Sequence, residues 1–200
     1  MLVTHLIFDL SEVLIRGLVG IDIHLCELLG TQSDKLLKKF GGENLRALCR
    51  NEITEDDYLK NIITKEKWNC SLNELKQIIR NNFHHIIVEM DDLVAELSKR
   101  YSLILLSDHA KEWINYIEEY HEFLKYFSHR IYSFKTGHLK SEIHNFRKLL
   151  TDLDISSDSC LFIDDKKENV EMAQHCGIKS IVFKDQEQLI SELARYGVFL

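Results

Sequence analysis

The sequence lacks proline altogether and contains only eight glycines among its 200 residues. Its turns must therefore rely on glycine, asparagine, aspartate and serine. It also lacks internal repeats and low-complexity linkers. A chain of this length predicts one domain, or a core with a modest insertion.

Positive charge is scarce as well. Lysine and arginine number 25 against 32 acidic residues, which gives a formal net charge of −7. This balance disfavours a nucleic acid or an anionic membrane as the partner, because both require clustered basic side chains. The five cysteines are odd in number and form no C-x-x-C motif, which favours reduced thiols in a cytoplasmic protein.

Long apolar runs are also missing. No run reaches the length of a membrane-spanning helix, no basic region precedes the first apolar stretch, and Asp9 interrupts that stretch. We therefore expect neither a transmembrane helix nor a signal peptide, and we expect a cytoplasmic location.

What the sequence does contain is a series of short apolar runs that end at polar residues. They cover residues 3–8, 103–106, 130–134, 160–163 and 180–183. Helical periodicity marks the segments between or after them, at residues 91–100, 110–120, 141–150 and 168–176. Strands that alternate with helices form crossover units. The pattern predicts an α/β fold, a three-layer Rossmann-like parallel sheet of about five strands.

Residues 16–88 have a different character. Strand-like runs are scarce there, glycines mark helix ends, and Ser71 to Glu74 forms a capping box. We interpret residues 16–88 as an inserted helical domain, and residues 1–15 and 89–200 as a Rossmann-like core. The alternative is a set of extra helices packed on the sheet.

Polar side chains follow several of the predicted strands, at the edge where parallel α/β sheets bind ligands. They are Asp9, Ser107, Asp164 and Asp165, and Lys140 follows the weakest strand. Crowded carboxylates repel one another, so a cation is expected among them, and oxygen ligands suit Mg²⁺. Lys140 and Ser107 would hold a phosphate while the Asp9 carboxylate attacks phosphorus. The pattern favours phosphoryl transfer.

Four segments resemble the motifs of the haloacid dehalogenase-like superfamily, in the family's order. They are Phe8-Asp9-Leu10-Ser11-Glu12-Val13-Leu14, Leu105-Leu106-Ser107-Asp108-His109, Gly137-His138-Leu139-Lys140-Ser141 and Phe162-Ile163-Asp164-Asp165-Lys166-Lys167-Glu168-Asn169. The resemblance covers about residues 1–15 and 89–185, and the insertion begins where the family's helical cap enters. It looks closest to the branch of glucose-1-phosphate-type phosphatases and the N-terminal domain of soluble epoxide hydrolase.

The resemblance implies a role for each matching residue. Asp9 would be the nucleophile and a ligand of Mg²⁺, with the backbone carbonyl of Ser11 and the carboxylate of Asp165 as the other protein ligands. Asp164 would support the catalytic site or bind the metal through water. Asn169 would brace this loop.

The phosphoryl group has its own expected set of residues. Ser107 and Lys140 would hold it, and both count among the catalytic residues that the resemblance implies. Asp108 and His109, which follow Ser107 in the same loop, are candidates for contact with the phosphate or the substrate.

The sequence departs from the family pattern at Ser11. Family phosphatases usually carry a second aspartate there, which protonates the leaving oxygen and later activates water. A positioned proton donor is typically worth about 10²–10⁴ in rate, so its loss could cost roughly 3–5 kcal/mol. Three explanations stay open: a substrate with a good leaving group such as an acyl phosphate, a substitute such as Glu12, His109 or a cap residue, or lost activity.

The function that follows is a Mg²⁺-dependent phosphatase that hydrolyses a small phosphorylated metabolite through an aspartyl-phosphate on Asp9, slowed by Ser11. The alternatives are a catalytically impaired binding protein and a dehalogenase or phosphonatase. Asp164 and Asp165 argue against a dehalogenase, because they would repel a carboxylate substrate. A phosphonatase would need a Schiff-base lysine, and the insertion offers Lys35, Lys38, Lys39, Lys60, Lys65, Lys67 and Lys76. The substrate and the oligomeric state, monomer or homodimer, stay open.

Overall fold

A computed structural model describes residues 2–31 and 35–200 of the chain. Its sheet has five parallel strands in the order β3-β2-β1-β4-β5. The strands are β1 His5–Phe8, β2 Ser102–Ser107, β3 His129–Tyr132, β4 Cys160–Asp164 and β5 Lys179–Val182. The predicted α/β fold with a parallel sheet of about five strands is confirmed.

Helices connect the strands and flank the sheet. Those in the described residues are α1 Ile21–Leu29, α2 Glu43–Cys49, α3 Glu55–Glu66, α4 Leu72–Phe83, α5 Met90–Leu97, α6 Lys111–Tyr120, α7 Ser133–Thr136, α8 Ile143–Asp152, α9 Lys167–His175 and α10 Gln186–Arg195. Short 3-10 helices cover Leu37–Phe40, Glu122–Tyr126 and Ser157–Ser159. No helix in residues 2–31 or 35–200 combines the length and apolar character needed to cross a membrane.

The central strand β1 determines which side chains meet at the carboxyl edge of the sheet. Phe8 lies opposite both Leu105 of β2 and Ile163 of β4. The backbone N–H of Asp9 then donates to the Ile163 carbonyl at 2.9 Å, which holds the first residue after β1 against β4. The ends of β1, β2 and β4 therefore lie side by side.

The two faces of the sheet are both buried, which explains why the strands read as continuous apolar runs. Leu6 and Phe8 of β1 face the larger cluster, which includes side chains of α1, α3, α4, α5 and α6. Ile7 faces the smaller cluster with Phe146 of α8 and Ala173 of α9. Helices on both faces give the predicted three layers.

Helices α1 to α4 lie between β1 and α5. Thr54 begins α3 by accepting the N–H of Asp57, and Ser71 and Glu74 form the predicted capping box at α4. Glu55 of α3 joins this region to the helix after β2, because its carboxylate binds both Arg80 of α4 and the indole N–H of Trp113. The boundaries of a separate cap domain stay a prediction.

Two local predictions differ from the structure, and one helix was not predicted. Ser133, expected at the end of a strand, begins α7, because its hydroxyl donates to the Cys49 carbonyl and accepts the N–H of His109. Lys140 lies in a turn, and α8 begins only at Ile143. The helix without a prediction is α10, an amphipathic helix capped by Asp185.

Candidate active site

Three carboxylates meet at the carboxyl edge of the sheet, and we call Asp9, Asp164 and Asp165 the acid cluster. Asp9 follows β1, Asp164 ends β4 and Asp165 follows it. One oxygen from each lies within 4.8 Å of the other two. Asp9 and Asp164 are buried, and Asp165 is half-buried. Adjacent parallel strands thus bring together residues that are more than 150 positions apart.

Lys140 is the cation that faces the acid cluster. Its side chain is 2% exposed, and Nζ lies 2.5 Å from Asp9 Oδ2 and 2.6 Å from Asp164 Oδ2. Asp108 fixes the turn below it, since both of its carboxylate oxygens accept the backbone N–H of Lys140 at 3.0 Å. Burial opposes the charge on Lys140, but Asp164, Asp9 and Asp108 together raise its pKa, so the ammonium stays protonated.

Lys140, in contact with the acid cluster, and Lys166, which acts on it through its charge, are two cations against three carboxylates. Burial raises the pKa of Asp9 and of Asp164, against the opposing effect of Lys140, and burial together with Asp164 raises the pKa of Asp165. A hard divalent cation is suited to such a set of oxygen donors and would relieve their repulsion. The residues present therefore fit an Mg²⁺ ion.

The contacts of Asp164 and Asp165 differ. Asp164 accepts the Lys166 backbone N–H at 2.8 Å and the Asn169 side-chain amide at 3.0 and 3.1 Å, besides the Lys140 ammonium. Asp165 makes none of these contacts. Asp164 is therefore already engaged and held by its loop, whereas Asp165 is the freer of the two carboxylates to bind a metal.

Ser107 ends β2 beside this cluster. It is 1% exposed, and its hydroxyl has no hydrogen-bond partner in the part of the chain that the structure describes. A buried hydroxyl without a partner is uncommon in proteins, because it loses the hydrogen bonds that water would provide. An oxygen of a bound ligand would satisfy it.

Ser11 contacts a buried histidine. Its Oγ lies 2.7 Å from Nε2 of His109, which is 3% exposed. Burial, with smaller effects of Lys140 and Lys166, lowers the pKa of His109 to about 3, so the imidazole is neutral at physiological pH. Glu12, also considered as a substitute acid, is occupied by the backbone N–H groups of residues 17 and 19.

A cavity of about 160 Å³ borders the residues that flank Asp9. Its lining includes Ser11, Glu12, Leu18, Val19, Leu45, Cys49, Phe83, Asp108, His109, Trp113, Asp165 and Lys166. None of the lysines named as Schiff-base candidates lines this cavity. The structure does bring the predicted site residues together in the acid cluster, beside it or at this cavity, and they are Asp9, Ser11, Ser107, Asp108, His109, Lys140, Asp164 and Asp165.

The apolar lining and Lys166 were not predicted. Trp113 packs against Phe83, with ring centroids 5.6 Å apart, and also lines the cavity. Trp68 does not line it and packs on Phe40, with ring centroids 5.9 Å apart. The position of Lys166 directly after the two aspartates was the one available signal, since that loop was already expected at the site.

Known proteins resemble this chain, one in sequence and two in fold. The chain is 21% identical over 202 residues to flavin mononucleotide hydrolase 1 of Arabidopsis thaliana, a chloroplast protein, covering 96% of this chain and 77% of that one. A predicted hydrolase of the same fold from Porphyromonas gingivalis has 18% identity, 98% coverage of both chains and a TM-score of 0.77. An enzyme from Bacteroides thetaiotaomicron, solved with magnesium and inorganic phosphate, has 20% identity, 94% and 98% coverage and a TM-score of 0.74.

A family model gives the assignment directly. Residues 6–183 match the model of the haloacid dehalogenase-like hydrolases, a span that begins in β1 and ends just after β5. The match therefore includes the acid cluster, Ser107 and Lys140 together with the helical insertion. The chain belongs to the haloacid dehalogenase-like hydrolase family.

Proposed function

We propose that this hydrolase is a Mg²⁺-dependent phosphatase that acts on a small phosphorylated metabolite through an aspartyl-phosphate on Asp9. The observation that carries the proposal is the convergence of the acid cluster with the Lys140 ammonium and the unpartnered hydroxyl of Ser107. Two relatives support it: one is named a flavin mononucleotide hydrolase, and one was solved with magnesium and phosphate.

The proposed reaction has two displacements. In the first, an oxygen of the Asp9 carboxylate bonds to phosphorus and the bond from phosphorus to the leaving oxygen breaks. In the second, a water oxygen bonds to phosphorus, the bond from phosphorus to Asp9 breaks, and one proton of the water passes to solvent as inorganic phosphate leaves. Lys140 and Ser107 hold the phosphoryl oxygens, and Asp108 positions Lys140 through its backbone.

Mg²⁺ bound by Asp9, Asp165 and the backbone carbonyl of Ser11 would neutralise negative charge on the phosphoryl group. Asp164 holds the Lys140 ammonium and the neighbouring loop in position. We further propose that residues 16–88 act as the cap that excludes water from the site. The free cysteines are consistent with a cytoplasmic enzyme.

The leaving oxygen has no strong acid beside it. Ser11 and the neutral His109 share a hydrogen bond, and neither group donates a proton readily at neutral pH. The site is therefore suited to substrates whose leaving group departs without protonation, such as acyl phosphates. A phosphonatase is less well supported, because none of the insertion's seven lysines, all in the described residues, lines the cavity beside Asp9.

The test compares acetyl phosphate and p-nitrophenyl phosphate with Mg²⁺ and with EDTA. We expect Mg²⁺-dependent release of phosphate by the wild type and a loss of at least about 10³-fold in Asp9→Asn, which removes the nucleophile. Asp152→Asn, the same change at an exposed position, is the matched control and should keep full activity. An inert wild type would favour the impaired binding protein, and full activity of Asp9→Asn would reject the nucleophile.

A further inference from the structure

The cavity beside Asp9 has an apolar wall that phosphoryl transfer does not require. Leu18 and Val19 come from the loop after β1, Leu45 from α2, Phe83 from α4 and Trp113 from α6. These side chains lie beyond Ser11 and Asp108, on the side of the helical insertion. They are placed where the organic part of a phosphorylated substrate would lie.

Several polar groups of this cavity are occupied by the protein itself. The Glu12 carboxylate accepts two backbone N–H groups, the Asp108 carboxylate accepts the N–H of Lys140, and His109 Nε2 bonds Ser11. The polar groups left over are Nδ1 of His109, which has no partner among the described residues, and the side chains of Asp165 and Lys166. Along the apolar wall, a sugar or polyol would give up its hydrogen bonds to water without gaining partners there, which weakens binding. An apolar group has no such hydrogen bonds to lose.

The size of the cavity limits the ligand further. Its volume of about 160 Å³ is below the range of about 300–1,000 Å³ typical of sites for drug-sized ligands. Apolar cavities of about 150 Å³ bind a single benzene ring. The volume therefore matches one six-membered ring or a short aliphatic chain. A neighbouring cavity of about 180 Å³, which shares Leu45, Cys49, Asp108 and Lys166 with this one, has a more polar lining.

Trp113 is held in a fixed orientation at this wall. Its indole N–H donates to Glu55 at 2.7 Å, and Arg80 holds the same carboxylate from the other side. The indole lies 5.6 Å from the Phe83 ring and 5.8 Å from the His109 ring, measured between centroids. The indole is 2% exposed and its polar atom is satisfied by Glu55, so the small part of it that lines the cavity is apolar.

We propose that the leaving group of the substrate is compact and apolar, about the size of one ring, and that Trp113 is a specificity-determining residue that packs against it. This inference rests on the proposed phosphatase function and narrows its substrate class. We expect phosphate esters of sugars, nucleosides and flavins to be poorer substrates.

Acetyl phosphate and benzoyl phosphate provide a matched test, because both leaving groups are carboxylates of similar acidity and differ mainly in apolar size. We expect kcat/KM to be about tenfold to a hundredfold higher for benzoyl phosphate, as burial of an aromatic ring predicts. Flavin mononucleotide and glucose 1-phosphate should be poorer substrates than either. Equal values for the two acyl phosphates, or faster turnover of flavin mononucleotide, would overturn the proposal.

Variants locate the source of the preference. Trp113→Ala and Leu45→Gln should each reduce the benzoyl-to-acetyl ratio at least threefold, and the half-exposed Leu45 guards against a folding defect at the buried tryptophan. Trp68→Phe, which alters the other tryptophan and does not line the cavity, should leave the ratio unchanged. Unchanged ratios in both cavity variants would contradict the assignment.

A binding measurement separates this inference from the phosphatase proposal. In Trp68→Phe the only tryptophan is Trp113, so its fluorescence reports on the cavity. With Mg²⁺ present, phenylphosphonate should change this fluorescence and bind about tenfold more tightly than methylphosphonate. Tight phenylphosphonate binding without turnover of any substrate would reject the phosphatase and keep the pocket assignment. Turnover of a substrate with no difference in affinity between the two phosphonates would support the phosphatase and reject the pocket assignment.

Discussion

Replacement of Lys140 by methionine tests whether one buried ammonium holds the acid cluster together. Methionine nearly matches the length of lysine but carries no charge, so the carboxylates of Asp9 and Asp164 would face each other without the cation that now lies 2.5 and 2.6 Å from them. Removal of one partner of a buried ion pair typically costs about 3–5 kcal/mol. For a chain of this size, Lys140→Met should lower the Tm by about 6–20 °C.

The loss should depend on pH in a defined direction. Lys140 opposes the rise that burial causes in the pKa of Asp9 and of Asp164, so its removal leaves both pKa values further above those of the unfolded chain. A carboxyl group with a raised pKa favours folding in its protonated form, and that contribution is lost as the pH rises through the folded pKa. The Tm difference between the wild type and the variant should therefore be small near pH 4.5 and large at pH 8.

Thermal unfolding in EDTA at both pH values measures this effect. Lys148→Met makes the same change in an exposed pair with Asp152, and we expect a Tm shift of at most about 4 °C. Mg²⁺ should recover part of the stability lost at pH 8 in Lys140→Met, because a cation that binds only the folded acid cluster stabilises it. A Tm equal to that of the wild type, or a deficit that is the same at both pH values, would refute the reasoning.

Three further predictions concern other side chains. Ser11→Asp should raise the turnover of esters with poor leaving groups by about 10²–10⁴, because it restores an acid beside the leaving oxygen; phosphate release measures this. Glu55→Gln should cost about 1.5–3 kcal/mol in the free energy of unfolding, measured in urea, because it weakens a buried, charged hydrogen-bond network with Arg80. Cys49 and Cys160 should resist iodoacetamide at pH 8, by mass spectrometry of the folded protein, because burial raises their pKa values to about 12 and about 11.

Each of these has a control and a contradicting result. Ser11→Asn matches the size of aspartate without the acid, so an equal gain in both variants would rule out proton donation. Glu43→Gln alters an exposed partner of Arg50 and should change stability by less than about 1 kcal/mol; an equal loss in Glu55→Gln would contradict the role of burial. Alkylation of the two cysteines at the rate seen in urea would contradict their protection.

The residues that meet at the carboxyl edge of the sheet were predictable from the sequence, because the end of each strand is marked locally by the change from apolar to polar residues. Each apolar run ends at the residue that leaves the sheet, and parallel strands end at one edge, so Asp9, Ser107 and Asp164 had to converge. The short helix at Ser133 was not predictable, because that serine turns the chain by bonding Cys49, 84 positions away. Long-range hydrogen bonds of this kind leave no periodic signal.

The apolar cavity was hidden for a related reason. Periodicity indicates that Phe83 and Trp113 belong to buried helix faces, but it does not say which buried faces meet or whether the space between them is filled. The cavity depends on how α2, α4 and α6 pack around the loop after β1. Apolar residues at helical spacing give the same sequence pattern whether they fill a core or line a binding site.

The serine at position 11 and the buried histidine at position 109 are chemically linked. An aspartate at position 11 would place a carboxylate against an imidazole that burial keeps neutral, and the opposite charge would raise the pKa of His109 towards protonation. It would also add a fourth carboxyl group near the acid cluster, which has one ammonium in contact with it. A hydroxyl satisfies Nε2 without either effect. Serine in place of aspartate at position 11 also removes the proton donor for the leaving oxygen, so the site suits a leaving group that departs without a proton. The apolar wall of the cavity suits the same kind of substrate, because it offers few hydrogen bonds.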